Sequence, residues 1–331
     1  MKRLLLVAAA IILAGCSSTT ATEAPAATPA PATPATAATP APATPASVDL
    51  SKATIAYSGY STSNSYWNTL GKSAASEAKA KGVNFVDITA TTNDSALQLQ
   101  AVNSELATLK APAVLIIGSV DNNVFGDSIA TAQKNGVIVL AVDTAIDNPY
   151  VSALIQTDNV KAGEMLGDLI CTNTKGKGSV LDLGGSVGAQ TGDARQQGVF
   201  NKTSKCGLNV IKQNGNWDSA TDVNLANAAI TANSDLAAIF VPHSDGAAAV
   251  ATVVGQKNLQ STIGVYGFDG SPAEIDDILA GTEVASIHQD NVGMGKTIVD
   301  DGIALLQGGT VDKTVLIPPV LITKDNAASF K

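Results

Sequence analysis

The sequence predicts an α/β protein built as two similar doubly wound parallel-sheet lobes joined by a three-strand hinge. Three observations predict it. Short β-branched apolar runs alternate with Ala-rich helical stretches from Thr54 onward. The strand runs are nearly continuous in apolar residues, as in parallel sheets covered on both faces. A strand-like link, Tyr150–Asp158 (YVSALIQTD), breaks the rhythm near the middle without a full helix before it. That break favours two open sheets over one closed barrel.

The elements follow in order. Strands are read at Thr54–Tyr57, Val83–Ile88, Val114–Ile117 and Val137–Val142, with helices near Tyr66–Lys81, Asp94–Leu109 and Val124–Asn135 between them. Strand Ser152–Ile155 and helix Val160–Thr172 come next. Strands Ser179–Leu183, Asn209–Lys212, Ala237–Val241 and Ile263–Gly267 follow, separated by helices near Asp193–Thr203, Ala220–Thr231 and Gly246–Gly255. Gly82 and Gly136 close helices, and Asn93 and Asp158 open them. The link at Tyr150–Asp158 is the first crossing between lobes. A second falls after strand Val284–His288, and a third near Val315–Thr323. The Pro318-Pro319 pair there cannot sit in a central strand. The expected limits are 48–155 plus 290–315 for the first lobe and 156–289 plus 316–331 for the second. Three crossings make a hinge.

The stretch Thr262–Asp290 reads strand, loop, short helix, strand. One strand ends at Asp269, before Gly270-Ser271-Pro272; the other ends at His288-Gln289-Asp290. Ligands of open parallel sheets bind outside the carboxyl ends of the strands, so this segment sets polar side chains where a small ligand sits.

The start of the chain is a targeting signal. Lys2-Arg3 is a basic n-region, Leu4–Ile12 an apolar h-region, and Leu13-Ala14-Gly15-Cys16 a small-residue cleavage site. The run is too short to span a bilayer core of ~30 Å. LAGC followed by serines resembles the bacterial lipoprotein lipobox. The resemblance implies a signal peptide over 1–15, cleavage before Cys16, and a diacylglyceryl thioether on its sulfur. A secretory signal with an incidental cysteine is the alternative. Two or more acyl chains give stable anchoring where one is marginal.

Residues 16–47 form a tether. From Ser17 to Ser47 the chain is almost entirely Ala, Thr, Pro and Ser, with 7 prolines between Pro25 and Pro45. It lacks large apolar residues to bury, so it cannot offset its ordering entropy. Extended polyproline II at ~3.1 Å per residue gives a spacer reaching up to ~100 Å. Beyond Cys16 the chain holds Cys171 and Cys206, an even pair in an exported protein, which permits one disulfide. Two separate buried thiols are the other reading.

Composition excludes several functions. The chain is 45% AVILMFWYC but 4% aromatic, so its core is mostly aliphatic. It carries a net charge of −9 without Lys/Arg runs, a poor match to nucleic acid, which needs clustered cations. No GKS or GKT follows a Gly-rich loop, and no His/Cys set has metal-ligand spacing.

A series of motifs then stands in one order. Asn64 and Tyr66-Trp67 follow the first strand. Ala141-Val142-Asp143 ends the fourth. Thr157-Asp158-Asn159-Val160 lies at the first crossing. Then come Gly192-Asp193-Ala194-Arg195-Gln196-Gln197-Gly198, Trp217, Gly267-Phe268-Asp269-Gly270-Ser271-Pro272 and Ala285-Ser286-Ile287-His288-Gln289. From Ala53 onward the set resembles the type I periplasmic-binding-protein family, in its ribose-binding sugar subfamily. The resemblance implies a non-enzymatic solute-binding subunit of an ABC importer. It implies a small sugar or polyol ligand, an ABC permease with its ATPase as partners, no cofactor, and a monomer held outside a membrane by the lipid on Cys16.

It also implies a site. A pyranose has apolar faces and a rim of hydroxyls. Trp67 and Trp217, the only 2 Trp, would cover the faces from opposite lobes, with Tyr66 beside them. Each could instead be a core residue. Asp143 and Asp269 would accept from hydroxyls. Arg195 would donate a fork of N–H groups. Asn64 and Gln289 both donate and accept, and Gln289 could alternatively be a hinge spacer. Two positions depart from the family pattern. Thr144 stands where an arginine is usual, and His243-Ser244-Asp245 stands in place of Asn-Asp. The site keeps one cationic clamp and gains an imidazole. A deoxy-sugar, a polyol, a furanose or a nonsugar autoinducer therefore stands beside ribose as the ligand.

Two rivals remain from the sequence. The same fold presents bound ligands to chemoreceptors or histidine kinases, so a ligand sensor is an alternative to an importer subunit. The motif Gly184-Gly185-Ser186-Val187-Gly188 fits G-x-S-x-G after a strand, with Asp269 and His288 downstream. A nucleophile elbow needs its helix to start at once after the serine. Here Ala189-Gln190-Thr191-Gly192 intervene before a helix expected from Asp193, which disfavours a Ser186 hydrolase.

Overall fold

The computed structural model describes residues 48–331. Cys16, the signal segment and the tether lie outside the described residues. In chain order the elements are β1 (Thr54–Ser58), α1 (Ser65–Ala80), β2 (Asn84–Asp87), α2 (Ser95–Leu106), β3 (Ala113–Ile117), α3 (Gly126–Lys134), β4 (Val137–Val142) and β5 (Val151–Thr157). There follow α4 (Asn159–Thr174), β6 (Ser179–Gly184), α5 (Gln190–Thr203), β7 (Asn209–Asn214), α6 (Ser219–Ala232), β8 (Leu236–Phe240), α7 (Ser244–Gln256) and β9 (Gly264–Tyr266). The chain ends with α8 (Pro272–Ala280), β10 (Ala285–His288), α9 (Asn291–Leu306), β11 (Thr314–Ile317) and β12 (Val320–Thr323).

The strands form two sheets with one winding. Their orders are β11-β5-β4-β3-β1-β2 and β12-β10-β9-β8-β6-β7. Shifting the first five strands by five positions in sequence turns one order into the other, so the lobes are topological copies. β11 joins β5 in parallel, whereas β12 joins β10 antiparallel. The opposed directions follow from the crossings: β11, like β5, carries the chain out of the first lobe, whereas β12 brings it into the second lobe against β10, which leaves it. Each sheet is buried on both faces. Ile55, Ile116 and Leu140 pack with α1 and α9, and Leu115, Ile117 and Val139 face α2 and α3. The second lobe repeats this, with Leu181 and Ile239 on one face and Val180 and Phe240 on the other.

Several expectations shift. β5 runs to Thr157 and β11 to Ile317, because Gln156 and Thr157 pair in register with Leu316 and Ile317. The lobe limits expected at 155 and 315 therefore fall two residues inside strands. α5 starts at Gln190 rather than Asp193. Asp94, not Asn93, caps α2, its carboxylate accepting from Ala96 and Leu97 N–H. Helix α9 was not read from the sequence. It buries Met294, Ile298, Val299 and Ile303 in the first lobe's core, each such side chain contributing ~1.5–3 kcal/mol. Gly295 lets it close on α1, since a Cβ there would lie 2.7 Å from the Leu70 carbonyl oxygen.

Cys171 and Cys206 are joined as a disulfide, with Cα atoms 6.0 Å apart. The bond ties the end of α4 to the loop after α5.

Candidate functional site

A cavity of about 230 Å³ lies where the carboxyl ends of strands from both sheets meet. Tyr60, Asn64, Tyr66 and Trp67 reach it after β1, Asn93 after β2 and Asp143 after β4. From the other lobe come Thr191 and Arg195 after β6, Trp217 after β7, His243 and Asp245 after β8, and Asp269 after β9. Gln289 comes from the crossing after β10.

The two deep carboxylates are held by neutral donors. Asp143 Oδ1 accepts from the Tyr66 hydroxyl at 2.9 Å, and Oδ2 from the Thr144 hydroxyl at 3.0 Å. Asp269 Oδ1 accepts from Gln289 Nε2 at 2.7 Å, and Oδ2 from the Ser244 backbone N–H at 3.1 Å. Ser244 opens α7, so the positive end of that helix faces the acid. Burial raises both carboxyl pKa values, and the Arg195 guanidinium is the leading opposing influence.

Arg195 is only 4% exposed and largely committed to the protein. Nε donates to Asn159 Oδ1 at 2.9 Å, Nη1 to the Pro242 carbonyl at 2.7 Å, and Nη2 to Gln289 Oε1 at 3.3 Å. Its guanidinium lies 3.8 Å from the Phe268 ring centroid. Helices α4 and α5 set this position by touching through glycines. A Cβ on Gly163 would meet the Arg195 carbonyl oxygen at 2.2 Å, and one on Gly198 the Val160 carbonyl oxygen at 2.3 Å. Gln289 links the lobes at the hinge. Its Oε1 also accepts from Thr157 Oγ1 at 2.7 Å, at the end of β5.

The aromatic wall holds Trp67 and Trp217 from opposite lobes and adds Tyr60 to them. Trp67 lies in the first turn of α1, where its N–H donates to the Asn64 cap at 3.2 Å. The Tyr60 ring stacks on it at 4.8 Å and 9°, covering one indole face. Tyr66 meets it edge-on at 5.4 Å. Trp217 follows Asn216, and both residues take the left-handed backbone, at φ 58 and 59. Its ring lies over Gly185, where a Cβ would come within 2.2 Å of it.

Two expected contacts change role. Thr144 does not line the cavity; it sits behind Asp143 and orients the carboxylate. His243 lines it without offering a free nitrogen. Nδ1 accepts from the Gly246 N–H at 3.3 Å, so Nε2 carries the proton to Asp222 Oδ2 at 2.7 Å. The ring braces Trp217 edge-on at 5.9 Å and 74°. His288 stays out of the cavity, its ring 5.1 Å from Phe330. Ser186 sits in a turn four residues before α5, and no hydrogen bond links it to either histidine among the described residues. The sequence reading missed Tyr60, Ser61, Ser63, Asn93, Thr191, Ser219 and Asp245 as lining residues. Their place just after strands was the available signal.

Comparison with known proteins fits this geometry. The periplasmic binding protein domain family matches residues 55–310. The chain belongs to the periplasmic binding protein family. The ribose import binding protein of Bacillus subtilis is 26% identical over 82% of this chain and 87% of its own. The D-allose-binding periplasmic protein of Escherichia coli is 27% identical over 71% and 78%, and the xylitol-binding protein of Mycolicibacterium smegmatis 26% identical over 75% and 71%. Among solved structures, a solute-binding protein from Actinobacillus succinogenes with bound D-allose superposes with a TM-score of 0.78. It is 20% identical, over 84% of this chain and 100% of that one. Of these relatives, one binds ribose for import, one binds D-allose in the periplasm and one binds xylitol.

Proposed function

We propose that the chain is the extracytoplasmic solute-binding subunit of an ABC importer, capturing one small polyhydroxylated ligand between its lobes. The observation that carries this reading is the convergence of polar groups from both lobes on one cavity, with Asp143 of one lobe and Asp269 of the other both in its lining. At about 230 Å³ the space is below the ~300–1,000 Å³ of pockets for drug-sized ligands, so a single sugar ring or polyol suits it. Asp143, Asp269, Gln289 and Asn64 would hold hydroxyls, and Trp217, Tyr60 and Trp67 would cover the apolar face. A ligand touching both lobes stabilises the closed arrangement by its differential affinity. The Cys16 lipid and the tether would hold the body off the membrane, within reach of a permease. A thermal-shift screen of the purified protein against sugars and polyols tests the reading. A ligand at 100 times its Kd adds ~2.7 kcal/mol, and no shift with any of them counts against it. For the anchor, Cys16→Ala releases the protein to the soluble fraction; retention in membranes refutes lipidation.

A further inference from the structure

The cavity's charges do not balance. Its lining holds three carboxylates, Asp143, Asp245 and Asp269, against one cation, Arg195. Arg195 forms no ion pair with Asp143 or Asp269 among the described residues; its bonds go to Asn159, the Pro242 carbonyl and Gln289. His243 turns both ring nitrogens to the protein rather than to the cavity, Nδ1 to the Gly246 N–H and Nε2 to Asp222. The two buried acids thus receive only hydroxyl, amide and backbone donors. A buried carboxylate without a cation partner is costly, and a cation supplied from outside removes that cost. A second observation points the same way. Tyr60 and Trp217 line the same space with aromatic rings, and such faces attract cations; the Arg195 guanidinium already lies 5.7 Å from the Trp217 ring centroid, which leaves Tyr60 as the ring of the two without a cation among the described residues.

From the acid excess and the aromatic wall together, we propose that the preferred ligand is a polyol bearing a primary ammonium group, an amino sugar or aminocyclitol, whose ammonium sits between Asp143 and Asp269. This rests on the polyol reading above and narrows it. The hydroxyls of such a ligand use Asn64, Gln289 and the remaining N–H groups of Arg195. Its ammonium donates to carboxylate lone pairs that the protein's own donors leave open.

Calorimetric titration of the full chain tests this. The probes are glucosamine, galactosamine and an amino-inositol, each beside its neutral parent and its N-acetyl derivative. Charge-assisted hydrogen bonds exceed neutral ones by enough to expect at least ~tenfold tighter binding of one amine than of its two uncharged partners. Raising the pH through that amine's own pKa abolishes the advantage and leaves the neutral parent's affinity in place. Asp143→Asn, with Asp269→Asn as the second variant should the first fail to fold, reduces the amine-to-parent ratio toward one. Neutral parents that bind as tightly as the amines, or an advantage unchanged by pH, overturn the ammonium proposal while the polyol reading stands. Failure of every probe to bind overturns the proposal together with the reading it rests on.

Discussion

Asp143 and Asp269 occupy the same place in the two lobes. Each follows its lobe's fourth strand, β4 or β9, and each takes a positive φ, 63 and 103. Each donates its N–H to the neighbouring strand, Asp143 to the Ile155 carbonyl at 2.7 Å and Asp269 to the Ile287 carbonyl at 2.8 Å. A non-glycine residue at positive φ is strained by ~1–3 kcal/mol and persists where its surroundings dictate it. Here one strained position, repeated by the duplicated topology, aims two carboxylates at one cavity.

These contacts give the first prediction. Asp269→Ala and Arg195→Ala each remove charge-assisted hydrogen bonds worth ~1.5–3 kcal/mol apiece, so ligand affinity falls by at least ~tenfold to a hundredfold. Both variants keep a cooperative unfolding transition. Calorimetry beside circular dichroism checks this, and unchanged affinity in both variants contradicts the site.

Tyr60 is expected to matter although no motif marks it. Its ring covers one face of Trp67 and lines the cavity. Tyr60→Ala forfeits an aromatic pair worth ~0.5–1.5 kcal/mol and opens the indole to water. Tyr60→Phe keeps the stack. Affinity therefore drops in the alanine variant and stays within a few-fold in the phenylalanine variant. Equal loss in both would place the effect on the hydroxyl instead.

Stability should fall as pH rises. Glu274 is fully buried, and its carboxyl pKa is pushed up to about 8 by burial first and the Asp269 charge second. Glu283 is raised well above its usual range by burial and by Glu274, and neither of its oxygens has a hydrogen-bond partner among the described residues. Asp182 shifts the same way through burial. The folded state then holds more protons than the unfolded chain, whose glutamates titrate near ~4.3. The stabilisation is complete below that value and is lost as pH climbs toward about 8. Urea midpoints measured across this window decline, and Glu283→Gln, which keeps an uncharged side chain, flattens the decline. A rise in midpoint over the window rules the idea out.

The disulfide spans 35 residues of sequence between α4 and the loop after α5. Replacing Cys171 and Cys206 together by serine is expected to lower stability by ~2–4 kcal/mol. Asn159 and Arg195 stand near the opposite ends of those helices, and the Gly163–Gly198 contact still holds them. Ligand affinity is therefore retained at temperatures where the variant is folded, as titration at low temperature would reveal.

The fold was legible because its signals are local and repeated. Apolar strand runs, capping residues and the break at Tyr150–Asp158 each follow from short-range chemistry. Helix α9 escaped because its partners, Leu70 and Ala74 of α1, lie more than two hundred residues earlier. Asp143, Arg195, Asp269 and Gln289 were legible from a resemblance carried by ordered motifs. What the sequence could not show was commitment. The occupation of both His243 nitrogens depends on Asp222 and Gly246, and the covering of Trp67 depends on Tyr60. Both are matters of packing, and neither leaves a periodic or compositional trace.

The proposed function requires both lobes to grip one small polyhydroxylated ligand. Its most direct test is a calorimetric titration of the purified protein with single-ring sugars, polyols and their amino derivatives. One molecule is expected to bind saturably per chain, and binding is lost in Asp143→Ala and in Asp269→Ala alike. Saturable binding that survives both substitutions, or no binding across the whole set, would contradict it.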